Sequence, residues 1–102
     1  MGGMTFSEVA EGESAERAFA DAVEQAKYDY GHAGYTGTLA EKYEFTVVSK
    51  PLPLKEANDL AEQMIEDGDE RIYDKWGPAG CIPIDDGKKV SRRFLFFGWA
   101  SS

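Results

Sequence analysis

The sequence predicts an α+β fold: a small antiparallel sheet of three or four strands with two helices packed on one face. Three observations predict it. Two stretches carry apolar residues at helical spacing, a third alternates in aromatic and β-branched residues, and the chain closes on a hairpin pattern whose return strand is unusually aromatic. At 102 residues the chain fits one domain. Its apolar fraction of 42% is enough for one compact core.

Residues 1–13 are weakly patterned. Thr5, Phe6 and Val9 fit either a short edge strand or a loose lead-in. Ser14 then reads as an N-cap. After it Ala15, Ala18, Phe19, Ala22, Val23 and Ala26 recur at helical spacing, and Tyr30 extends the stripe. Gly31 can take positive φ and so end the helix, which is placed over 14–30.

A glycine-rich loop, Gly31-His32-Ala33-Gly34-Tyr35-Thr36-Gly37-Thr38, follows. Thr38-Leu39-Ala40-Glu41 matches a capping box, which predicts one helical turn at 39–42. Residues 43–49 alternate as a strand with Tyr43, Phe45 and Val47 on one face, and Pro51 and Pro53 end it. Leu54, Ala57, Leu60, Ala61, Met64 and Ile65 form a second helical stripe that closes near Gly68.

Residues 71–76 are open between more helix and a short strand, and 77–80 read as a turn. Cys81-Ile82-Pro83-Ile84 is a short apolar strand. Pro83 cannot donate a ladder bond, which predicts an edge. Asp86-Gly87 signals a type I′ hairpin. The return strand, 90–99, is apolar on both sides, with Leu95, Phe97 and Trp99 facing one way and Phe94 and Phe96 the other. A strand of that kind is central or is covered by a partner. With only one sheet face assigned to helices, a homo-oligomer is expected.

Charge excludes some functions. Nineteen acids face eleven bases, giving −8. Direct nucleic-acid binding needs a basic patch that this balance does not supply over the whole surface. There is no apolar run of membrane-spanning length and no leader pattern, and Phe6 breaks the myristoylation motif. The single cysteine, Cys81, fits a reducing compartment. A cytoplasmic protein without a membrane partner is the expectation.

The glycine loop is the candidate ligand site. It lacks the Gly-Lys-Ser/Thr of a P-loop, and no strand leads into it as a dinucleotide fingerprint requires. It also starts at a helix C-terminus, whose carbonyls repel phosphate. What remains is stacking by Tyr35 and hydrogen bonding by His32, Thr36 and Thr38. Any anion would be neutralised by Arg92 or Arg93, from the basic stretch that includes Lys88 and Lys89. The reading is a non-enzymatic binding protein for a small polar or anionic ligand, a nucleotide among the candidates, with no cofactor implied. The structural alternative for the loop is a set of turns.

Other chemistry is weaker. One His and one Cys could form a thiolate–imidazole pair, but no local signature accompanies His32 or Cys81. Metal ligation lacks a second His or Cys, and Asp67-Gly68-Asp69-Glu70 breaks EF-hand spacing. The competing reading uses the acidic helix faces. Glu16, Asp21 and Glu24, with Glu56, Asp59, Glu62 and Glu66, would make one negative surface if both helices shared a sheet face. Such a surface suits an acidic protein-binding module, or an inhibitor that mimics nucleic acid toward a basic partner.

The segments Gly34-Tyr35-Thr36-Gly37-Thr38-Leu39-Ala40-Glu41-Lys42 and Lys75-Trp76-Gly77-Pro78-Ala79-Gly80-Cys81-Ile82 resemble stretches in small uncharacterised bacterial and phage proteins. They cover under a fifth of the chain and carry no fold or activity with them. A phage context would imply a small intracellular protein that sequesters a host signalling nucleotide or occludes a host protein.

Overall fold

The computed structural model describes residues 3–30, 39, 42–74, 77–87 and 92–101. In chain order the elements are β1 (Gly3–Glu11), α1 (Ala15–Tyr30), β2 (Phe45–Val47), α2 (Leu54–Asp67), β3 (Ala79–Pro83) and β4 (Arg93–Ser101). The strands form one sheet in the order β1-β4-β3-β2. The α+β class, a sheet within the expected three or four strands and two helices packed against it are as the sequence predicts. Their arrangement differs in ways that matter for the surface.

The sheet is mixed rather than antiparallel. β1 and β3 both run antiparallel to β4, while β2 runs parallel to β3. β1, β2 and β3 therefore point the same way. The chain crosses from β1 at one edge to β2 at the other through α1, then steps back to β3 through α2. Parallel crossovers share one hand. Two crossovers in opposite directions then put their helices on opposite faces.

Packing bears this out. Ala18, Phe19, Ala22 and Ala26 of α1 bury against Ala79, Cys81, Phe94 and Phe96. Ala57, Ala61 and Met64 of α2 bury against Ile82, Leu95 and Phe97. The alternate residues of β4 thus serve two cores. Helices packed on one face, the sequence expectation, are corrected to one helix on each face. The apolar second side of β4 is covered by α2 of the same chain, so that strand itself does not call for another copy.

Local signals explain the helices. The Ser14 hydroxyl accepts the Arg17 N–H at 3.2 Å, capping α1 as read. The α1 stripe is mostly alanine, which lets the helix lie low while Phe19 fills the middle. α2 ends where Gly68 takes φ 66°, and the Asp69 N–H reaches the Met64 carbonyl at 3.1 Å. The stretch after it turns rather than extending. The Ile72 N–H bonds the Asp69 carbonyl, and Ile72 buries against the α2 core.

Three strand readings need correction. β3 lies between β4 and β2, so it is interior, not an edge. Pro83 is tolerated because odd residues of β3 face β2. The Ala79 N–H bonds Glu44, and the carbonyls of Cys81 and Pro83 accept the Val48 and Leu52 N–H groups. The missing Pro83 N–H would point where β2 has already ended.

β2 is only three residues long, and Tyr43 and Val47 are 93% and 53% exposed. It is one edge of the sheet, and of its three residues Phe45 reaches under Phe19, at 5.0 Å between ring centroids. The β3–β4 register sets Pro83 opposite Phe94, which leaves a longer connection than a two-residue turn at Asp86-Gly87. Gly87 does take positive φ, and its N–H bonds the Asp85 carboxylate at 3.0 Å.

Residues 3–11 form a full edge strand, paired along their length from Gly3–Ser101 to Glu11–Arg93. Gly80 marks a close approach. A Cβ there would sit 2.6 Å from the Phe97 ring, which lies across the glycine from the neighbouring strand.

Candidate functional site

The loop after α1 is reached through its roots. His32, Tyr35, Thr36 and Thr38, the sequence-predicted contacts, lie outside the described residues, as do Lys75, Trp76, Lys88 and Lys89. On the incoming side is the last turn of α1, where the Gln25 amide donates to the Asp29 carboxylate at 3.2 Å. On the outgoing side is Leu39, which is buried in the α1 core. The Leu39 carbonyl accepts the Lys42 N–H at 3.0 Å; residues 40 and 41 of the turn expected there lie outside the described residues.

Lys42 is the unexpected member. It is 2% exposed. Its ammonium donates to the Gly77 carbonyl at 2.9 Å and lies 3.5 Å from the Asp74 carbonyl. It also lies 6.0 Å from the centre of the Phe6 ring. A buried ammonium is stable only where oxygens replace its water. Here backbone carbonyls of the 74–77 turn do so, and that turn is itself closed by the Gly77 N–H on the Asp74 carbonyl. Lys42 therefore ties the outgoing root of the loop to the turn before β3 and to β1.

Glu8 completes the floor. The pleat of β1 puts Phe6, Glu8 and Ala10 on the α1 side, and Glu8 is half-buried there. Its carboxyl is held above the usual carboxylate range, first by burial and then by Asp29 at the end of α1. The folded state binds this proton more tightly than the unfolded chain does. Stability from Glu8 is therefore highest at low pH and falls as pH rises through its raised pKa. Glu8→Gln is expected to raise the thermal midpoint at neutral pH and to lose that advantage below the ordinary carboxylate range. Melting curves across pH check this, and a variant no more stable at neutral pH would refute it.

Arg92 and Arg93 stand elsewhere. Arg93 pairs with Glu11 in the register, and the Arg92 carbonyl accepts the Gly12 N–H. The loop roots gather at Phe6 and Glu8, and a strand from Phe6 to Gly12 is roughly 20 Å long at about 3.4 Å per residue. The described roots thus lie at the middle of β1, and the two arginines at its C-terminal end, about 10 Å along the strand from Glu8. Arg93 opens β4 and Arg92 lies just before it.

Cys81 is buried in the α1 core, and its thiol is pushed up to about 12, by burial first and then by Glu16. At neutral pH it is a thiol and not a nucleophile. The acidic faces of α1 and α2 point away from each other across the sheet, so they do not merge into one surface.

Sequence reasoning missed Lys42 and Glu8. Glu8 shares a strand face with Phe6 and Ala10, but with Met4 and Val9 both exposed the alternation in residues 4–10 is too weak to place it. Nothing local distinguishes Lys42 from a surface lysine.

The fold and this floor define a small α+β protein with polar groups built into the base of a glycine-rich loop. No family model, curated protein or solved structure matches the chain. Among the described residues, no helix is long and apolar enough to cross a membrane.

Proposed function

We propose that this is a non-enzymatic binding protein that holds a small polar ligand between the 31–38 loop and the floor made by Phe6, Glu8 and Lys42. The observation that carries the reading is the buried Lys42 ammonium at the loop's outgoing root. A buried charge fixed by main-chain carbonyls gives the loop a stiff base, and stiff bases reduce the ordering cost of binding. Tyr35 supplies a stacking face, and His32, Thr36 and Thr38 supply hydrogen bonds to a ring edge or sugar.

Glu8 and Asp29 flank the floor with carboxyl oxygens. They favour ligand groups that donate hydrogen bonds, such as a base edge or sugar hydroxyls. Nucleosides and nucleotides are the class to test first. Arg92 and Arg93 would meet an anionic tail that reached from Glu8 to the Glu11 end of β1, about 10 Å along the strand. The acidic-module alternative would act through one helix face at a time, α1 or α2.

Thermal shift and calorimetry against nucleosides, nucleotides and uncharged polar metabolites decide the matter. A shift that Tyr35→Ala abolishes while the unliganded midpoint stays put is the expected result. No shift with any of these ligands, or one indifferent to Tyr35→Ala, would overturn the proposal.

A further inference from the structure

The geometry points to the free edge of β1 as the interface between two copies of this chain, paired strand to strand about Ser7. Among the described residues β1 has β4 on one side and no strand on the other. The Gly12 N–H bonds Arg92, which sets the phase: even residues of this strand direct their N–H and C=O groups to β4. Thr5, Ser7, Val9 and Glu11 therefore direct theirs outward. Edge strands are normally blunted by proline, lysine or a bulge. β1, with sequence GMTFSEVAE, has no proline, no base and an unbroken register; its charged residues are Glu11 at its end and the half-buried Glu8 on the α1 side.

The register follows from charge and length. A two-fold axis through Ser7 sets each odd residue against an odd residue, so every outward N–H meets a carbonyl. It pairs Thr5 with Val9 of the second copy, Met4 with Ala10, Phe6 with Glu8 and Gly3 with Glu11. No glutamate directly faces a glutamate. Moving the axis to Glu8 puts Glu8 against itself, and moving it to Phe6 leaves Ala10 and Glu11 without described partners. The Ser7 register also covers Met4, which is 54% exposed, and Val9, which is 38% exposed.

The helix layer bears on the salt dependence of this pairing. Phe19 packs toward Phe45 of β2, so the opposite flank of α1 leans toward β1 and its free edge. That flank carries a groove of about 340 Å³ lined by Asp21, Glu24, Gln25 and Tyr28. The two-fold sets α1 of the second copy, with the same Asp21 and Glu24, beside it, so like charges face each other across the axis. Each copy carries −8, so association is opposed by net charge and strengthens as salt screens it. A basic partner on the same edge would show the opposite salt dependence.

Sedimentation velocity on the full chain, over a concentration series at low and high salt, tests the interface. Wild type is expected as a reversible dimer that tightens with salt. Ser7→Pro removes an outward donor and no bond to β4, so it is expected to stay folded and become monomeric. Because that variant could instead unfold, Thr5 and Val9, both exposed, carry the register test. The double variant Thr5→Glu with Val9→Lys places opposite charges across the axis twice and tightens the dimer roughly fivefold. Thr5→Lys with Val9→Lys places like charges there and weakens it. A wild type that stays monomeric throughout, or two double variants that shift alike, overturns the inference.

Discussion

Phe96→Ala is expected to lose about 3–5 kcal/mol of folding stability, the range for emptying an aromatic site in a well-packed core. Phe96 is fully buried in the centre of the sheet. Its ring meets Phe19 of α1 at 5.3 Å, Phe45 of β2 at 5.5 Å and Phe94 at 6.4 Å between centroids. The first two contacts are near edge-on, the arrangement aromatic quadrupoles favour. One substitution therefore loosens three elements at once. α1 is held by a stripe of alanines that cannot swell into the gap, so relaxation is limited and the cavity term stays large. Denaturant unfolding checks it: the midpoint should fall with the slope unchanged. Phe45→Ala, at a half-buried position, should cost less. A loss below about 1 kcal/mol at Phe96 would mean the ring does not join helix to sheet.

The parts legible in the sequence are those where one local signal decides. α1 has an apolar stripe and a serine cap, and it starts within a residue of the position read. β4 is apolar on both sides, which requires neighbours on both faces, and it has them. The faces of the helices were not legible, because a stripe says that a helix is amphipathic and not which side of a sheet it covers. That choice belongs to strand direction, which depended on β1. As an edge strand β1 exposes Met4, Thr5, Ser7 and Val9, so too little of it is buried to leave a clear alternation. Without β1 as a first strand, the two opposed crossovers could not be seen. Pro83 misled for a related reason. A proline marks a missing donor, but whether a neighbour needs that donor depends on how soon β2 ends.

The candidate site was legible as composition and not as geometry. Three glycines and a tyrosine between a helix and a strand identify the loop. Its floor comes from residues far apart in the chain: Phe6 and Glu8, then Lys42, then the 74–77 turn. The pairing of the loop with Arg92 and Arg93 was an inference from charge alone; the β1–β4 register sets Arg93 opposite Glu11, three residues along β1 from Glu8, and the loop residues that would meet the arginines lie outside the described residues.

Lys42 carries the second large effect. Lys42→Ala is expected to lose about 3 kcal/mol or more. The buried stem contributes about 0.8 kcal/mol per methylene, and leaving the Gly77 carbonyl without its donor costs about 1–3 kcal/mol. Lys42→Met separates the two contributions. It keeps an apolar stem of similar length and removes the ammonium, so it should lose only the hydrogen-bond part, about 1–3 kcal/mol. If Met instead matched or exceeded wild type, the ammonium would be a desolvated burden and not a tie, as buried charges sometimes are. Binding gives the readout that stability cannot. In Lys42→Met the loop keeps its sequence, its stacking tyrosine and its threonines, and loses only the anchor at its outgoing root. A ligand held by a pre-set loop should then bind more weakly even below the variant's melting range, because ordering the loop becomes part of the cost of binding. Equal affinity in the two proteins would confine Lys42 to the fold and move the ligand contacts out along the loop, to Tyr35 and its neighbours.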